Sequence, residues 1–449
     1  MKKINLHNKN KNRIQFDTGT ISLNMLPVLC LALFLCTGCG ERVATDVQVS
    51  EPEQSKVVSM ESTAIVDYTV PQQFPNIMVD AAGYRTEGAK KAAVKGRILP
   101  TTFCLVDAQT QEVVYTKKLE DVQYNAEQNL YSAYADFGDW KQDGTYYLQC
   151  AHIGRSYDFT LETGLYERRF QEICQELIEG CRAQTVTHED IKRLLLAYEW
   201  YGEIFPDADA NGIPDILEAV ADWIALTEEQ NIQAGQPATP GQEASYAAVL
   251  AKFSYLYQSY DKAYATDCLK RASVIFGQTQ SSMQKDAECF HALTELYRAT
   301  GAYTYGNQIA EYKTYFQGHN TFTEEMSYLH GAMTYVSTRQ KVDMELCTIF
   351  MDTLMTQGED VSGVYEEMIH PVTARNNGAA DLLAHAERLA CANYVMNNYQ
   401  YNHVMEEFLH YLRGRNTQSV DFYTSDMGEK TKYLILLTQL VAVKDNLGE

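Results

Sequence analysis

Between residues 207 and 218 the chain reads Asp207-Ala-Asp-Ala-Asn211-Gly-Ile-Pro-Asp215-Ile-Leu-Glu218. Counted from Asp207, oxygen-bearing side chains fall at positions 1, 3, 5, 9 and 12, glycine falls at 6, and Ile213 offers its backbone carbonyl at 7. This is the ligand order of a calcium loop, in which hard oxygens surround a hard cation and the glycine makes the sharp turn. The candidate ligands are therefore Asp207, Asp209, Asn211, Ile213, Asp215 and Glu218, and the candidate cofactor is Ca2+. Pro214 lacks the N–H by which such loops pair, and the chain has no second loop of this kind, so a solitary site is implied. A second reading needs no metal. Asn-Gly-Ile-Pro makes a turn, Pro214 opens a helix, and Asp215 and Glu218 favour its positive end. That reading leaves Asp207 and Asp209 without a role.

The chain around this loop has 449 residues, enough for more than one domain. Hydrophobic residues make up 45% and charged residues 21%, as in a globular protein. With 59 acidic residues against 37 basic ones the net charge is -22. Such a chain repels phosphate backbones, which excludes nucleic acid as a partner, while neutral sugars and cations are tolerated.

Lys2, Lys3, Lys9, Lys11 and Arg13 precede an apolar run from Met25 to Leu35 that is too short to span a membrane. The run ends in Leu35-Cys-Thr-Gly-Cys39, which resembles a lipobox with Cys39 as the lipidated residue. The expectation is a lipoprotein signal over 1–39, a membrane contact through a lipid anchor only, and display on the extracellular face of a bacterial membrane, or secretion if the signal is simply cleaved. Residues 40–73 are rich in Glu, Ser, Val, Thr and Gln without a sustained period and are expected to be a flexible tether. The eleven cysteines show no zinc spacing. Cys104 and Cys150 lie in strand-like runs and could pair outside the cytoplasm.

Residues 74–163 carry short β-type runs, including Asn76–Asp80, Thr102–Asp107, Glu112–Thr116, Thr145–Gln149 and Ser156–Thr160, separated by turn signals such as Asp143-Gly144. The spacing predicts a β-sandwich of immunoglobulin size. From residue 166 to 449 apolar residues recur every three and four positions, which predicts helices. The segments are Arg168–Cys181, Ile191–Tyr198, Ile216–Ile224, Tyr246–Phe253, Lys262–Phe276, Ala287–Tyr297, Tyr303–Phe316, Glu324–Val336, Val342–Met355, Leu382–Tyr394, His403–Leu412 and Glu429–Val443. Short connections and the lack of a solenoid consensus point to a closed array of helical hairpins.

Several stretches resemble family 9 glycoside hydrolases. Asp80-Ala-Ala-Gly-Tyr-Arg85, Asp136-Phe-Gly and Gly144-Thr-Tyr-Tyr-Leu148 are similar to the immunoglobulin-like domain that precedes many of them. Leu194-Leu-Leu-Ala-Tyr-Glu199, Asn211–Glu218, Tyr257–Ala265, Glu295–Gly301 and Phe408–Asn416 are similar, in order, to pieces of their catalytic module. The resemblance implies an immunoglobulin-like sandwich followed by an all-α (α/α)6 toroid. It also implies β-1,4-glucan, a related β-glucan or another polysaccharide as partner.

Hydrolysis in that family inverts the sugar, which needs an acid and a separate base with room for water. The resemblance makes Glu429 the acid candidate, because it opens the last helix, although the preceding residue is Gly428 where the family has Asn. An equally plain role for Glu429 is to favour a helix N-terminus. The family's Asp-Ala-Gly-Asp base motif is missing, as is its later His-rich loop. Glu189 and Asp190 lie nearest the lost motif and are the base candidates, but with Thr187 as N-cap they equally fit a helix start. The expectation is a glucan-hydrolase-like protein with weak activity or none, or else a non-catalytic glycan-binding or calcium-stabilised scaffold.

Overall fold

The computed structural model describes residues 76–234, 238–279, 285–318, 325–370 and 378–443. The expected signal segment with Cys39 and the expected tether lie outside the described residues. Among the described residues no helix is long and apolar enough to cross a membrane.

The first domain is a sandwich of two sheets. One has the strand order β1 (Ile77–Met78), β3 (Lys91–Gly96), β7 (Leu130–Asp136), β6 (Glu120–Asn125), and the other β2 (Tyr84–Arg85), β10 (Phe159–Glu162), β8 (Gly144–Cys150), β4 (Thr102–Asp107), β5 (Val113–Lys118). The short strand β9 (Gly154–Arg155) pairs with β8. Inward residues alternate along the strands, so Phe103, Leu105, Tyr146, Leu148, Phe159 and Leu161 close one core with Val94, Ala133 and Ala135. Cys104 pairs in register with Gln149, so the neighbouring Cys150 points to the other face of the sheet, and both thiols are free. The Cys104–Cys150 pairing that the sequence left open is therefore not formed.

The second domain alternates outer and inner helices. In chain order they are α1 (Leu165–Arg182), α2 (His188–Tyr201), α3 (Asp215–Ala234), α4 (Pro240–Tyr257), α5 (Lys262–Thr279) and α6 (Ala287–Thr300). The short pair α7 (Tyr303–Ala310) and α8 (Lys313–Phe316) follows, then α9 (Met326–Ser337), α10 (Met344–Ile369), α11 (Ala379–Met396), α12 (Tyr399–Leu412) and α13 (Met427–Ala442). Helices α2, α4, α6, α9, α11 and α13 are buried on nearly all sides, whereas α1, α3, α5 and α10 bury one stripe. The buried helices form a ring: α2, α4, α6 and α9 pack in sequence, His330 of α9 meets Glu387 of α11 at 3.0 Å, and α13 closes between α11 and α2. This is a barrel of six helical hairpins, with its core between the inner and outer rings.

The two domains are joined by buried polar contacts. His410 of α12 meets Asp80 at 2.7 Å, and Arg415, held by Glu407 at 2.6 Å within the helical domain, donates to the Lys91 carbonyl at 3.3 Å. Gly414 adopts φ +123°, and a Cβ there would lie 2.9 Å from the Val79 carbonyl oxygen, so only glycine lets the two backbones approach.

Candidate functional site

The inner helices run in one direction and so place their N-termini at one mouth of the barrel. Thr187 caps α2. Its backbone N–H and hydroxyl both donate to Asp190 Oδ2 at 2.8 Å, and the Asp190 N–H returns to the Thr187 hydroxyl at 3.3 Å. Asp190 Oδ1 accepts from Thr431 of α13 at 3.1 Å. With 2% exposure, Asp190 holds the first turns of α2 and α13 together and does not face solvent.

Glu189 turns the other way, into the mouth. It pairs with Lys192, and its Oε1 also accepts from Ser327 of α9 at 3.4 Å. The Lys192 ammonium, whose side chain is 0% exposed, also meets Glu288 of α6 at 2.7 Å and Ser327 at 2.8 Å. Ser327 donates to Glu288 at 2.6 Å. Burial alone would push the Glu288 carboxyl up. The Lys192 charge and the hydrogen bonds from Lys192 and Ser327 outweigh it and hold Glu288 at about 2. Glu288 is thus a fixed carboxylate and not a proton donor at neutral pH.

Beside this cluster a groove of about 480 Å3 opens to solvent between α2, α3, α4 and α6. Glu189, Glu288, His188, Gln242, Thr227 and Trp223 are among its lining residues. His188 stacks on Tyr246 at 5.5 Å and meets the edge of Trp223 at 5.6 Å. Burial, with the nearby Lys192 charge, lowers its imidazole to about 4, so it is neutral at pH 7.

Glu429 lies in the first turn of α13. Asp426 caps that helix by accepting the Glu429 N–H at 2.9 Å, and Glu429 Oε2 accepts from Thr424 at 2.7 Å. Thr431, two residues on, bonds Asp190, so Glu429 belongs to the same mouth as Glu189. No bond joins Glu429 to Glu189, Asp190 or Glu288 among the described residues.

The Asp207–Glu218 loop leaves the C-terminal end of α2 and enters α3, at the far end of the inner helices from the groove. Carboxylate oxygens of Asp207, Asp209 and Asp215 converge within 4.8 Å of one another. Asp207 accepts from the N–H groups of Asn211 and Gly212 at 3.2 and 2.9 Å, and Asp215 accepts from Ala208 N–H at 3.2 Å. Gly212 takes φ +89°, as the sharp turn requires. The Asn211 amide nitrogen bridges Asp209 and Glu218 at 3.0 and 2.8 Å, while its oxygen accepts from Ile213 N–H at 2.8 Å. The donor set is all oxygen and fits a hard cation such as Ca2+.

Sequence reasoning did not name Lys192, Glu288 or Ser327, nor a second set of charges deeper in the barrel. Lys252 of α4 meets Glu199 of α2 at 2.5 Å and Glu295 of α6 at 3.1 Å, and Arg298 pairs with both acids. Arg193 of α2 reaches Glu387 of α11 at 2.8 Å. Burial would raise Glu387, but Arg193 and His330 hold it at about 2. The signal was present as charges set inside apolar helical runs, such as Lys192-Arg193 before Leu194 and Lys252 after Ala251. These ion pairs tie the buried faces of α2, α4, α6, α9 and α11 together.

Residues 72–155 match the family model described as the cellulase N-terminal ig-like domain. A metagenome-derived glycoside hydrolase family 9 endoglucanase superposes with a TM-score of 0.65 at 17% identity, over 78% of this chain and 85% of that one. The chain has the family 9 glycoside hydrolase fold. A Bacteroides ovatus GH9 protein superposes on it with a TM-score of 0.65 at 13% identity, over 82% and 99% of the two chains. AaCel9A, in a complex with cellobiose-like isofagomine, has a TM-score of 0.63 at 13% identity, over 82% and 100%. No curated protein matches. The expected immunoglobulin-like sandwich and (α/α)6 toroid are both present.

Proposed function

We propose that the protein captures β-1,4-glucan or a related β-glucan at the barrel mouth and hydrolyses it weakly or not at all. The observation that carries this reading is the commitment of the mouth's carboxylates. Asp190 is buried in a helix cap, and Glu189 and Glu288 are clamped to one buried ammonium. An inverting reaction needs a protonated acid on one side of the sugar and a free base about 6.5–9.5 Å away on the other. Of the candidate carboxylates Glu189, Asp190 and Glu429, only Glu429 is left for the acid role, and a lone acid leaves water a poor nucleophile. The open groove, with neutral amides, a tryptophan edge and two carboxylates as acceptors, suits a polyhydroxylated chain.

A second reading, a family 9 type hydrolase with Glu429 as acid, is favoured by the link from Thr431 to Asp190, which sets Glu429 beside α2 at the same mouth. Reducing-sugar release from soluble β-glucan separates the two readings. Capture predicts no release above background. Release that disappears in Glu429→Gln establishes the hydrolase, and release unchanged in that variant removes Glu429 from it.

Two further elements complete the proposal. Lipidation at Cys39 would hold the protein on the outer face of a membrane by an acyl anchor. Calcium, held by Asp207, Asp209 and Asp215 with Asn211, Ile213 and Glu218 completing the shell, would brace the entry to α3 and play no part at the groove.

A further inference from the structure

The groove presents two carboxylates and hides the cation that joins them. Glu189 and Glu288 side chains are 37% and 24% exposed, while that of Lys192 is 0% exposed. Lys192 and Ser327 both meet Oε1 of Glu189, and Glu189 and Glu288 both line the groove. We propose that Glu189 and Glu288 are the ligand-recognition pair of this groove, accepting hydrogen bonds from a β-1,4-linked sugar and selecting amine-bearing over neutral over acidic residues. The inference rests on the glycan reading above and adds the residues and the charge preference to it.

The chemistry follows from counting charges. Two carboxylates against one ammonium leave the groove with one net negative charge. Gln242 and Thr227 add none, and His188 is neutral at pH 7. An ionised carboxylate accepts a hydroxyl hydrogen bond more strongly than a neutral amide does. An ammonium on the sugar adds an ion pair to the same oxygens. A sugar carboxylate meets like charge instead, and the buried Lys192 cannot reach out to offset it. The clamp also keeps both groups in place before binding, so little ordering is needed when the ligand arrives.

The test uses the full chain and three hexamers with the same β-1,4 backbone: glucose, glucosamine and glucuronic acid. Titration calorimetry at about pH 5.5, where the sugar amines are protonated and His188 is still neutral, is run at low salt and at about 0.5 M salt, where charge screening acts over a few ångströms. The expected result is that the glucosamine hexamer binds roughly tenfold tighter than the glucose hexamer at low salt and that this gap closes at high salt. The glucuronic acid hexamer gives no binding. Glu189→Gln and Glu288→Gln each shrink the gap. Glu189→Gln and the wild-type salt series decide the matter even if Glu288→Gln, which unpairs part of a buried cluster, does not fold. Equal affinity for all three hexamers, a preference for the acidic one, or a gap indifferent to salt overturns the recognition pair and leaves glycan capture standing. Absence of heat with every hexamer overturns both.

Discussion

Asp190 and Glu189 are neighbours in sequence, yet the helix start sends them to different work. Asp190 closes a reciprocal cap with Thr187 and a cross-helix bond to Thr431, while Glu189 reaches the groove. Thr187→Ala is expected to lower stability by about 1 kcal/mol, the usual cost of a lost N-cap, read as a shift of the urea midpoint at unchanged slope. At Asp207 the question is metal against cap. In the calcium account, excess Ca2+ raises the melting midpoint of the wild type, by about 2.7 kcal/mol of stability at a hundredfold excess over Kd, and leaves Asp207→Ala unmoved. A midpoint indifferent to chelator in both proteins reduces the loop to a helix entry held by Asn211.

The inner helices carry charges where a simple barrel would carry leucines. Arg193 on α2 and His330 on α9 converge on Glu387 of α11, which is 0% exposed. Breaking this set by Glu387→Gln strands a buried guanidinium and is expected to cost about 3–5 kcal/mol, measured by denaturant unfolding. Arg193→Met with Glu387→Leu should recover much of that loss, because replacing a whole buried pair by apolar residues is far cheaper than halving it. Helices were legible in the sequence because each pays for its burial with apolar residues at three- and four-residue spacing. Strands β3 and β7 were not, because Ala92, Ala93, Ala133 and Ala135 carry little β signal; β3 meets the toroid through Lys95 and the Lys91 carbonyl, which contact Thr417 and Arg415. The end of α10 was missed because Gln357-Gly358-Glu-Asp breaks the apolar period while the helix runs on to Ile369. The acidic cluster of Asp207, Asp209 and Asp215 was legible because its carboxylates are local in sequence. The groove was not, because Lys192 and Glu288 are 96 residues apart in sequence and meet only through the ring of helices.

Across the whole molecule, buried titratable groups set a pH profile. His188 and His291 are lowered to about 4 and about 3, chiefly by burial, from an ordinary 6.5. Below pH 6.5 the unfolded chain therefore binds protons that the folded one refuses, and stability falls as pH falls. Glu288, Glu387 and Glu407 are each held at about 2, because their cationic partners outweigh burial. Their contribution is present above pH 4.5 and is lost as pH drops toward 2. Glu407 pairs with Arg415 at the sandwich, so the acid limb also loosens the junction between the domains. Urea midpoints should decline in two stages, gently from pH 6.5 and steeply below 4.5. A flat profile from 7 to 3 would contradict the buried placement of these groups.

The central claim is capture with little or no turnover at the barrel mouth, and a single calorimetric titration of the full chain with cellohexaose tests it most directly. Binding appears as heat that saturates, and hydrolysis appears as a sustained displacement of the baseline after each injection. The account predicts saturating heat and a baseline that returns to its start. No saturating heat, or a baseline displaced in proportion to enzyme concentration and restored in Glu429→Gln, would contradict it.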